Sequence, residues 1–463
     1  MSHAAISRLA ERSLARAGGT RFIPGNTTRL LLDGPAVYPA MFAAIEGATR
    51  WIHFENYIFR DDATGQRFAD GLAARARAGV SVRLLCDWYG SLGLGSRMAR
   101  DLRAAGVELR RFNPPRLIDL LGNLARDHRK LVVTDTGSAI IGGLCIGDEW
   151  AGDPERGLVP WRDTALEVRG PAVAALDRAF ERTWTLAGGT IPESDQVAEW
   201  PEAGSAEVGV VVGEPRRARI RRIVELLAAG AVERLWITDA YLVAPRPLFQ
   251  ALLDAAQGGV DVRLLVPGAS DLPVVRNLTR IGYRELLRSG IRIFEWDGPM
   301  LHAKTMVADG LWCRVGSSNL NPSSLVGNFE LDVIVHDRAL GTELEAQFRR
   351  DAARSVEIEY RPRARHRALM RLLPGALARG VPEESPDRHH GRFREHRRRT
   401  GLALRGIATA ARRSVFAPLA LGLAALALLF AVLPQTMALI VAGLCLWLAI
   451  GAGLEAVRGR RGP

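Results

Sequence analysis

Short apolar runs alternate with amphipathic segments along most of the chain, and the runs come in matching pairs. The pairs are 51–57 with 235–241, 79–85 with 259–265, and 105–109 with 289–293. Apolar runs of this length are typical of buried strands, and the segments between them have the spacing of helices. The pattern therefore predicts an α/β fold in two similar halves, each with a sheet covered by helices.

The length of the repeat indicates a duplicated domain. A polar stretch with glycines and prolines at 188–205 predicts the linker between a first domain at 20–187 and a second domain at 206–358. A basic segment at 359–413 follows the second domain and is interpreted as a tether.

An uncharged stretch near the C-terminus predicts a transmembrane helical hairpin at 414–455. Its two halves, 415–433 and 437–454, would each reach about 27–29 Å as helices, close to the about 30 Å of a bilayer core. Buried core helices are the alternative. Arginines flank the stretch on both sides, which predicts that both ends of the hairpin lie in the cytoplasm.

Composition excludes several classes of protein. The 463 residues are 48% hydrophobic and 24% charged, which excludes wholesale disorder, a collagen and a coiled coil. Four cysteines without a CxxC pair argue against a disulfide framework and a cysteine-rich zinc site. The N-terminus has no apolar signal region, so we expect the catalytic part in the cytoplasm.

Lysine is almost absent from a chain with a net charge of +12. Of 62 basic residues, only Lys130 and Lys304 are lysine. A guanidinium is wider than an ammonium and planar, so a lysine kept in such a chain indicates a site that needs a compact positive group. Chance survival of two lysines is the alternative.

Both lysines lie in the same motif, HxKxxxxD, at 128–135 and at 302–309. With nine histidines in 463 residues, a histidine two positions before both lysines has a chance of about 4 in 10,000. An apolar run follows each lysine and predicts a strand, on which the histidine and lysine point to the same side. The candidate catalytic residues are His128, Lys130, Asp135, His302, Lys304 and Asp309.

Glycines follow each motif, in Gly142-Gly143-Leu144-Cys145 and in Gly316-Ser317-Ser318-Asn319. Glycine lets the backbone approach a ligand closely, and hydroxyl and amide groups can donate hydrogen bonds to phosphate oxygens. Ser317 and Asn319 are therefore candidate phosphate-binding residues.

The paired motifs resemble the phospholipase D superfamily, and finer strings resemble its bacterial cardiolipin synthase branch. The resemblance covers about residues 20–358. The finer strings are Tyr57-Ile58-Phe59, Asp127-His128-Arg129-Lys130, Gly147-Asp148-Glu149-Trp150, Pro160-Trp161-Arg162-Asp163-Thr164 and Asn328-Phe329-Glu330. The resemblance implies two similar domains, each a mixed sheet flanked by helices, around a pseudo-twofold axis, with both motifs in one active site.

The residue types suit phosphodiester chemistry without a metal or another cofactor. One neutral imidazole can attack phosphorus and form a phosphohistidine, and a second, protonated imidazole can give its proton to the departing alcohol. The residues alone do not distinguish the two histidines. The resemblance implies that His128 is the nucleophile and that His302 is the general acid and base.

Each histidine needs a carboxylate that orients its ring. The resemblance implies Glu330 and Asp163 for this role, and an ordinary ion pair between Asp163 and Arg162 is the alternative. We expect the motif aspartates, Asp135 and Asp309, to anchor turns.

Two features depart from the family pattern. Cys145 stands where the family usually has asparagine, and a thiol is a weaker donor, which predicts a lower rate or a different second substrate. The predicted hairpin lies at the C-terminus, whereas the familiar bacterial cardiolipin synthases with membrane helices have them at the N-terminus.

The expected partners are a membrane and anionic phospholipids, namely phosphatidylglycerol and cardiolipin. Arginines of the tether would attract anionic headgroups, and the scarcity of aromatic residues there disfavours the alternative of a nucleic-acid-binding tail. An apolar patch at 117–121 is interpreted either as a guide for acyl chains or as core. Oligomeric state is left open.

The sequence thus predicts a membrane-anchored phosphatidyltransferase that makes cardiolipin from phosphatidylglycerol. The expected location is the bacterial inner membrane, with the catalytic domains facing the cytoplasm. The alternatives are a phospholipase D-like hydrolase, a nuclease of the superfamily, or a lipid-binding member without activity.

Overall fold

The structure is a computed structural model that describes residues 3–115, 124–153, 155–196 and 199–360. These residues belong to one compact unit. Across these ranges, no helix is both long enough and apolar enough to span a bilayer. The predicted hairpin, nearly all of the tether and the apolar patch at 117–121 lie outside the described residues.

The first half contains seven strands and six helices within the described ranges. The strands are β1 (Phe22–Leu32), β2 (Trp51–Asn56), β3 (Ser81–Asp87), β4 (Glu108–Phe112), β5 (Lys130–Thr134), β6 (Ser138–Gly142) and β7 (Thr164–Arg169). The helices are α1 (His3–Gly18), α2 (Asp33–Gly47), α3 (Ala63–Arg77), α4 (Ser96–Ala104), α5 (Asp148–Ala151) and α6 (Val173–Leu186).

The second half repeats the seven strands and adds one more. Its strands are β8 (Ala206–Gly213), β9 (Arg234–Asp239), β10 (Asp261–Pro267), β11 (Arg292–Trp296), β12 (Lys304–Ala308), β13 (Trp312–Gly316), β14 (Glu330–His336) and β15 (Ser355–Glu357). Its helices are α7 (Arg219–Gly230), α8 (Arg246–Gln257), α9 (Pro273–Ile281), α10 (Tyr283–Arg288) and α11 (Arg338–Ala353).

All these strands form one sheet, in which the two halves meet at an antiparallel pair of β1 and β8. Outward from this junction, the first half has the order β1-β7-β6-β5-β2-β3-β4 and the second has β8-β14-β13-β12-β9-β10-β11. The two orders are the same when the strands are counted from the start of each half. The predicted mixed sheet and the duplication are therefore both present, whereas the division into two domains stays a prediction.

β2 and β9 begin within one residue of their apolar strings, but the strands parallel to them, β3, β4, β10 and β11, begin two or three residues later than the strings indicated. Gly79 and Gly259, which open the shared GVxVRLL string, have φ of +89° and +92°. A left-handed residue after the last turn is the usual end of a helix, and glycine adopts it without strain. Each glycine therefore ends the preceding helix, and the strand starts at Ser81 or Asp261.

Apolar side chains cover both faces of the sheet and hold the halves together. One core cluster runs across the junction, where Leu166 and Val168 of β7 pack in the same cluster as Val208 of β8 and Val333 of β14. A second cluster lies within the first half, and a third packs Leu14 of α1 against the sheet and helices of the second half. The shared cluster and the β1–β8 pair therefore join the two halves.

Candidate active site

The two motifs lie at equivalent edges of the two half-sheets. Lys130 begins β5 and pairs with Asn56 at the end of β2, and Lys304 begins β12 and pairs with Asp239 at the end of β9. Each histidine lies two residues before its lysine. Both motifs are therefore at the carboxyl ends of the parallel strands, an edge where sheets of this kind usually bind ligands.

Each histidine is fixed by the other half of the chain. The backbone N–H of His128 donates to Phe329 O (2.9 Å), and that of His302 donates to Arg162 O (2.7 Å). The next residue in each case supplies a carboxylate: His128 Nδ1 lies 3.1 Å from Glu330 Oε2, and His302 Nδ1 lies 2.7 Å from Asp163 Oδ2. The structure thus brings the two predicted histidine–carboxylate pairs together across the junction.

These contacts select a tautomer for each ring. When Nδ1–H donates to a carboxylate, the lone pair of a neutral imidazole is on Nε2. The side chain of Asp163 contacts His302, while Arg162 forms its ion pairs with Asp351 (2.9 Å) and Asp33 (3.3 Å). The alternative of an ordinary ion pair between Asp163 and Arg162 is therefore not what the structure contains.

The carboxylates are held by different donors. Glu330 accepts a short hydrogen bond from the Ser317 hydroxyl. Asp163 accepts from Trp150 Nε1 (3.2 Å) and from the backbone N–H of Thr164 (2.7 Å). Burial alone would raise the pKa of both carboxyls, but the histidines, the nearby lysines and the hydrogen bonds from Ser317 and Thr164 together lower it, so both stay ionised.

Both imidazoles are neutral at neutral pH because their pKa values are lowered. Burial lowers the pKa of His128, against the opposing effect of Glu330. Burial and the charge of Lys304 lower the pKa of His302 to about 4. A negative ligand next to these rings would raise both values, since an opposite charge favours the protonated form.

The two lysines are buried beside the histidines. Lys130 Nζ donates to His128 O (2.5 Å), and Lys304 Nζ donates to His302 O. Burial lowers the pKa of Lys304 to about 8, and Lys130 adds to the effect. The charge of each lysine also lowers the pKa of the histidine in the other motif, so all four groups share one electrostatic environment.

Aromatic rings surround the histidines. Tyr57 lies 4.8 Å from the His128 ring, and Tyr241 lies 5.9 Å from the His302 ring, measured between ring centroids. Trp150 and Trp161 form a second wall beside His302, at 5.6 and 5.8 Å. The walls limit access of water, which strengthens electrostatic interactions inside the site.

The motif aspartates lie away from this cluster. Asp135 accepts hydrogen bonds from the backbone N–H groups of Thr49 and Arg50, and Asp309 accepts from those of Val232 and Glu233. One strand separates each aspartate from its lysine, a distance of about 16 Å. Both therefore anchor turns, as expected, and their inclusion among the candidate catalytic residues is corrected.

Ser317 and Asn319 differ in what they offer a phosphate. The Ser317 hydroxyl donates to Glu330 and accepts from the Leu331 N–H (3.0 Å), so its proton supports the carboxylate. Asn319 is buried, and its Oδ1 has no hydrogen-bond partner among the described residues. The Ser317 hydroxyl is thus engaged by Glu330, whereas the Asn319 amide can offer an N–H donor to a phosphate oxygen, and phosphate binding by both residues stays a prediction.

Cys145 occupies the position in the first half that matches Asn319. Its thiol is buried, and burial raises its pKa, while its carbonyl accepts from Tyr38 Oη (2.7 Å). The thiol is therefore neutral, and it gives the first half a weaker donor than the second half has.

Glu55 and Asp127 form a buried acidic pair next to the His128 motif that the sequence did not predict. Glu55 and Asp127 are fully buried, and one oxygen of each lacks a hydrogen-bond donor. Burial raises the pKa of both carboxyls, and the charge of Glu55 raises that of Asp127 further, while Arg129 opposes both shifts. The string Asp127-His128-Arg129-Lys130 carries part of this signal, but only the fold places Glu55 beside it.

Comparison with known proteins gives the family. A family model described as "Cardiolipin synthase, PLD-like domain" matches residues 223–352. Cardiolipin synthase A of Pseudomonas aeruginosa (strain LESB58) is 36% identical over 365 residues, which are 78% of this chain and 74% of the relative. Cardiolipin synthase of Geobacillus thermodenitrificans (strain NG80-2) is 34% identical over 339 residues, 72% of this chain and 67% of the relative.

A solved structure supports the fold. Phosphatidylserine synthase of Haemophilus influenzae Rd KW20 aligns with a TM-score of 0.60 at 14% identity, covering 78% of this chain and 97% of the other. At this identity the similarity concerns the fold alone. From the sequence relatives and the duplicated sheet that carries both HxKxxxxD motifs, the chain belongs to the cardiolipin synthase family of phospholipase D-like proteins.

Proposed function

We propose that the protein is a phosphatidyltransferase that makes cardiolipin from two molecules of phosphatidylglycerol. The observation that carries the proposal is the pair of histidines, each with its own carboxylate from the other half and a lysine beside it. The relatives named cardiolipin synthase support this choice of reaction.

In the first step, His128 Nε2 attacks the phosphorus of phosphatidylglycerol. The P–N bond forms while the bond from phosphorus to the headgroup oxygen breaks, and protonated His302 gives its proton to that oxygen, so glycerol leaves. Lys130, Lys304 and Asn319 contact the non-bridging oxygens, and Cys145 contributes a weaker contact. The negative charge of the bound phosphodiester raises the pKa of His302, which lets it act as an acid.

In the second step, a hydroxyl of another phosphatidylglycerol gives its proton to His302 and attacks phosphorus. The P–N bond breaks, cardiolipin leaves, and His128 is restored. Glu330 and Asp163 keep both rings in the required tautomer throughout. Water in place of the second lipid would give phosphatidic acid instead.

The proposal includes the domain boundaries, the membrane anchor and the cellular location. Residues 20–187 and 206–358 would act as two domains around a pseudo-twofold axis, joined by 188–205. A hairpin at 414–455 would anchor the chain in the bacterial inner membrane, with the catalytic domains in the cytoplasm and the tether on anionic headgroups.

The roles of the histidines are tested by trapping. Phosphatidylglycerol labelled in its acyl chains is mixed with the full chain, the reaction is stopped with denaturant, and the labelled peptide is identified by mass spectrometry. We expect the label on His128, and we expect His302→Ala to slow its formation while His128→Ala abolishes it. A label on His302 would reverse the two roles, and turnover without any covalent label would exclude the phosphohistidine step.

A further inference from the structure

Helix α9 presents its apolar side to solvent. Val274, Leu278 and Ile281 are spaced i, i+4 and i+7, which is the pattern of a stripe that normally faces a core. No residue of α9 is buried, and Val274 and Ile281 are 72% and 75% exposed. The helix is therefore inverted relative to an ordinary surface helix.

Contacts on the opposite side hold α9 in this orientation. Arg276 and Arg280 are each two residues from Leu278, so they lie about 160° around the helix from it. Arg280 forms a two-point ion pair with Glu295 of β11 (2.6 and 2.7 Å), and Tyr283 donates to the same carboxylate (3.0 Å). The polar side is fixed to the sheet, which keeps the apolar stripe outward.

The helix lies at the rim of the candidate active site. It follows β10, whose carboxyl end is beside that of β9, and β9 leads to Tyr241. Tyr241 Oη donates to Asp271 (2.8 Å), two residues before α9, and the same ring is 5.9 Å from His302. One tyrosine therefore connects the start of α9 to the candidate general acid.

The other half exposes large apolar side chains at the corresponding place. Tyr89 and Leu92, which are 60% and 55% exposed, follow β3, the counterpart of β10. Leu124, four residues before His128, is also exposed. Apolar surface at one edge in both halves is what a planar apolar partner would contact.

The charge near α9 selects the partner. Arg284 and Arg288 are exposed on the helix that follows α9, whereas Arg276 and Arg280 lie on the side of α9 away from the stripe. Amphipathic helices with arginines beside an apolar face bind in the headgroup region of anionic bilayers. A bilayer that contains the proposed anionic substrate is both planar and negatively charged, so we favour it over a protein partner.

We infer that the apolar stripe of α9 docks the active-site rim on an anionic lipid bilayer, so that a substrate lipid reaches the histidines without crossing water. The inference rests on the proposed lipid substrate for its purpose, but docking itself requires no turnover. It adds a contact at the catalytic rim to the proposed C-terminal anchor.

The first test measures insertion directly in the full chain. Ile281→Cys carries an environment-sensitive dye in a Cys445→Ser background, where the described cysteines, Cys86, Cys145 and Cys313, are buried. The matched control is Val232→Cys, 77% exposed and next to Asp309 at the opposite end of the sheet. The chain is placed in vesicles of phosphatidylcholine with phosphatidylglycerol.

We expect a blue shift of the dye at 281 and quenching by lipids brominated in their acyl chains, with neither effect at 232. A dye at 281 that is not quenched overturns docking, whether it stays in water or is shielded by a second copy or another protein. The measurement is repeated with His128→Ala, which keeps the same quenching. Failure of the proposed reaction would therefore leave this result unchanged.

The second test separates docking from catalysis. Combined Val274→Ser, Leu278→Ser and Ile281→Ser is expected to lower turnover of phosphatidylglycerol in vesicles about tenfold. Turnover of a short-chain phosphatidylglycerol dispersed as monomers should stay within about twofold. Val232→Ser should change neither rate. Equal losses on both substrates would show that the stripe supports folding or chemistry, and docking would then be excluded.

Discussion

Single residues make the two halves of the site unequal although the strands repeat. Ser317 supports the carboxylate of His128, whereas Trp150 supports that of His302. Lys304 titrates lower than a free lysine because it is buried near Lys130. These differences are small in geometry, but each changes which protonation state a group prefers.

The pH dependence of the reaction should report Lys304. Because its pKa is about 8, it loses its charge as pH rises through that value, and kcat/KM should fall about tenfold more per pH unit above pH 8 than below it, where only His302 must be protonated. Lys304→Arg keeps its charge, so its lower activity should show no added fall near that pH. Lys130→Arg is the control and should keep the wild-type fall. An unchanged profile in Lys304→Arg would assign the titration elsewhere.

The carboxylates should matter more for rate than for folding. Glu330→Gln or Asp163→Asn can donate to Nδ1 and so place the proton on Nε2, which is expected to lower kcat about 1,000-fold with little change in melting temperature. Glu207→Gln is the matched control, because Glu207 contacts His336 Nδ1 in the same way (3.1 Å) away from the site. Equal effects of all three substitutions would contradict the orienting role.

At the scale of elements, the turns around the site determine which residues of one half could replace their counterparts in the other half. The turns after β6 and β13 are equivalent, yet one carries Gly143 and the other Ser317. A Cβ at Gly143 would lie 2.2 Å from Asp163 Oδ1, so this turn has no space for the serine of its counterpart. The turn and the carboxylate it faces therefore form one packed unit.

Gly143→Ser should disrupt that unit. The new side chain must displace Asp163 or the turn, which is expected to cost about 1–3 kcal/mol of stability and most of the activity. Gly71→Ser in α3 is the control, since no atom lies within 4 Å of its added Cβ. Thermal melts and the phosphatidylglycerol assay measure both effects, and a fully active, stable Gly143→Ser protein would refute the packing described here.

The first half contains a buried pair of acids, one near the end of β2 and one just before β5, and the second half has no acid at the equivalent positions. Thr238 and Leu301 stand where the first half has Glu55 and Asp127. A carboxyl whose folded pKa is raised binds protons more tightly when folded, so it costs stability as pH rises above the unfolded pKa of about 4. The pair therefore destabilises the fold at neutral pH.

Asp127→Asn should remove this cost and donate an amide N–H to Glu55. We expect its melting temperature to exceed that of wild type at about pH 7.5, and the difference to shrink towards about pH 4.5. Melts of the detergent-solubilised chain measure this, with the exposed Asp101→Asn as control. A melting temperature below wild type at both pH values would show that the carboxyl is needed as an acceptor.

At the scale of the molecule, duplication joins two incomplete sites into one. Neither half holds its motif histidine together with the carboxylate that orients it, because His128 uses Glu330 and His302 uses Asp163. The β1–β8 pair and the shared core fix the halves in the arrangement that makes these contacts. Loosening the junction would therefore affect both histidines together.

Local structure could be predicted from the sequence, whereas contacts between residues far apart in the chain could not. Apolar strings and the two HxKxxxxD motifs predict the repeated strands, since periodicity and motif spacing are local properties. β1 and β8 went unnoticed, because pairing at the junction depends on residues almost 200 positions apart. The cluster of Glu55 and Asp127 was missed for the same reason, and so was the contact of Ser317 with Glu330, which is near only in the fold.

The most direct test of the central proposal is the product made from labelled phosphatidylglycerol. The full chain, reconstituted in vesicles, should convert it to cardiolipin and free glycerol, and His128→Ala should make neither. Phosphatidic acid as the main product would mean that water is the acceptor and that the protein is a hydrolase. No product from phosphatidylglycerol, alone or with other lipid alcohols, would contradict the phosphatidyltransferase assignment.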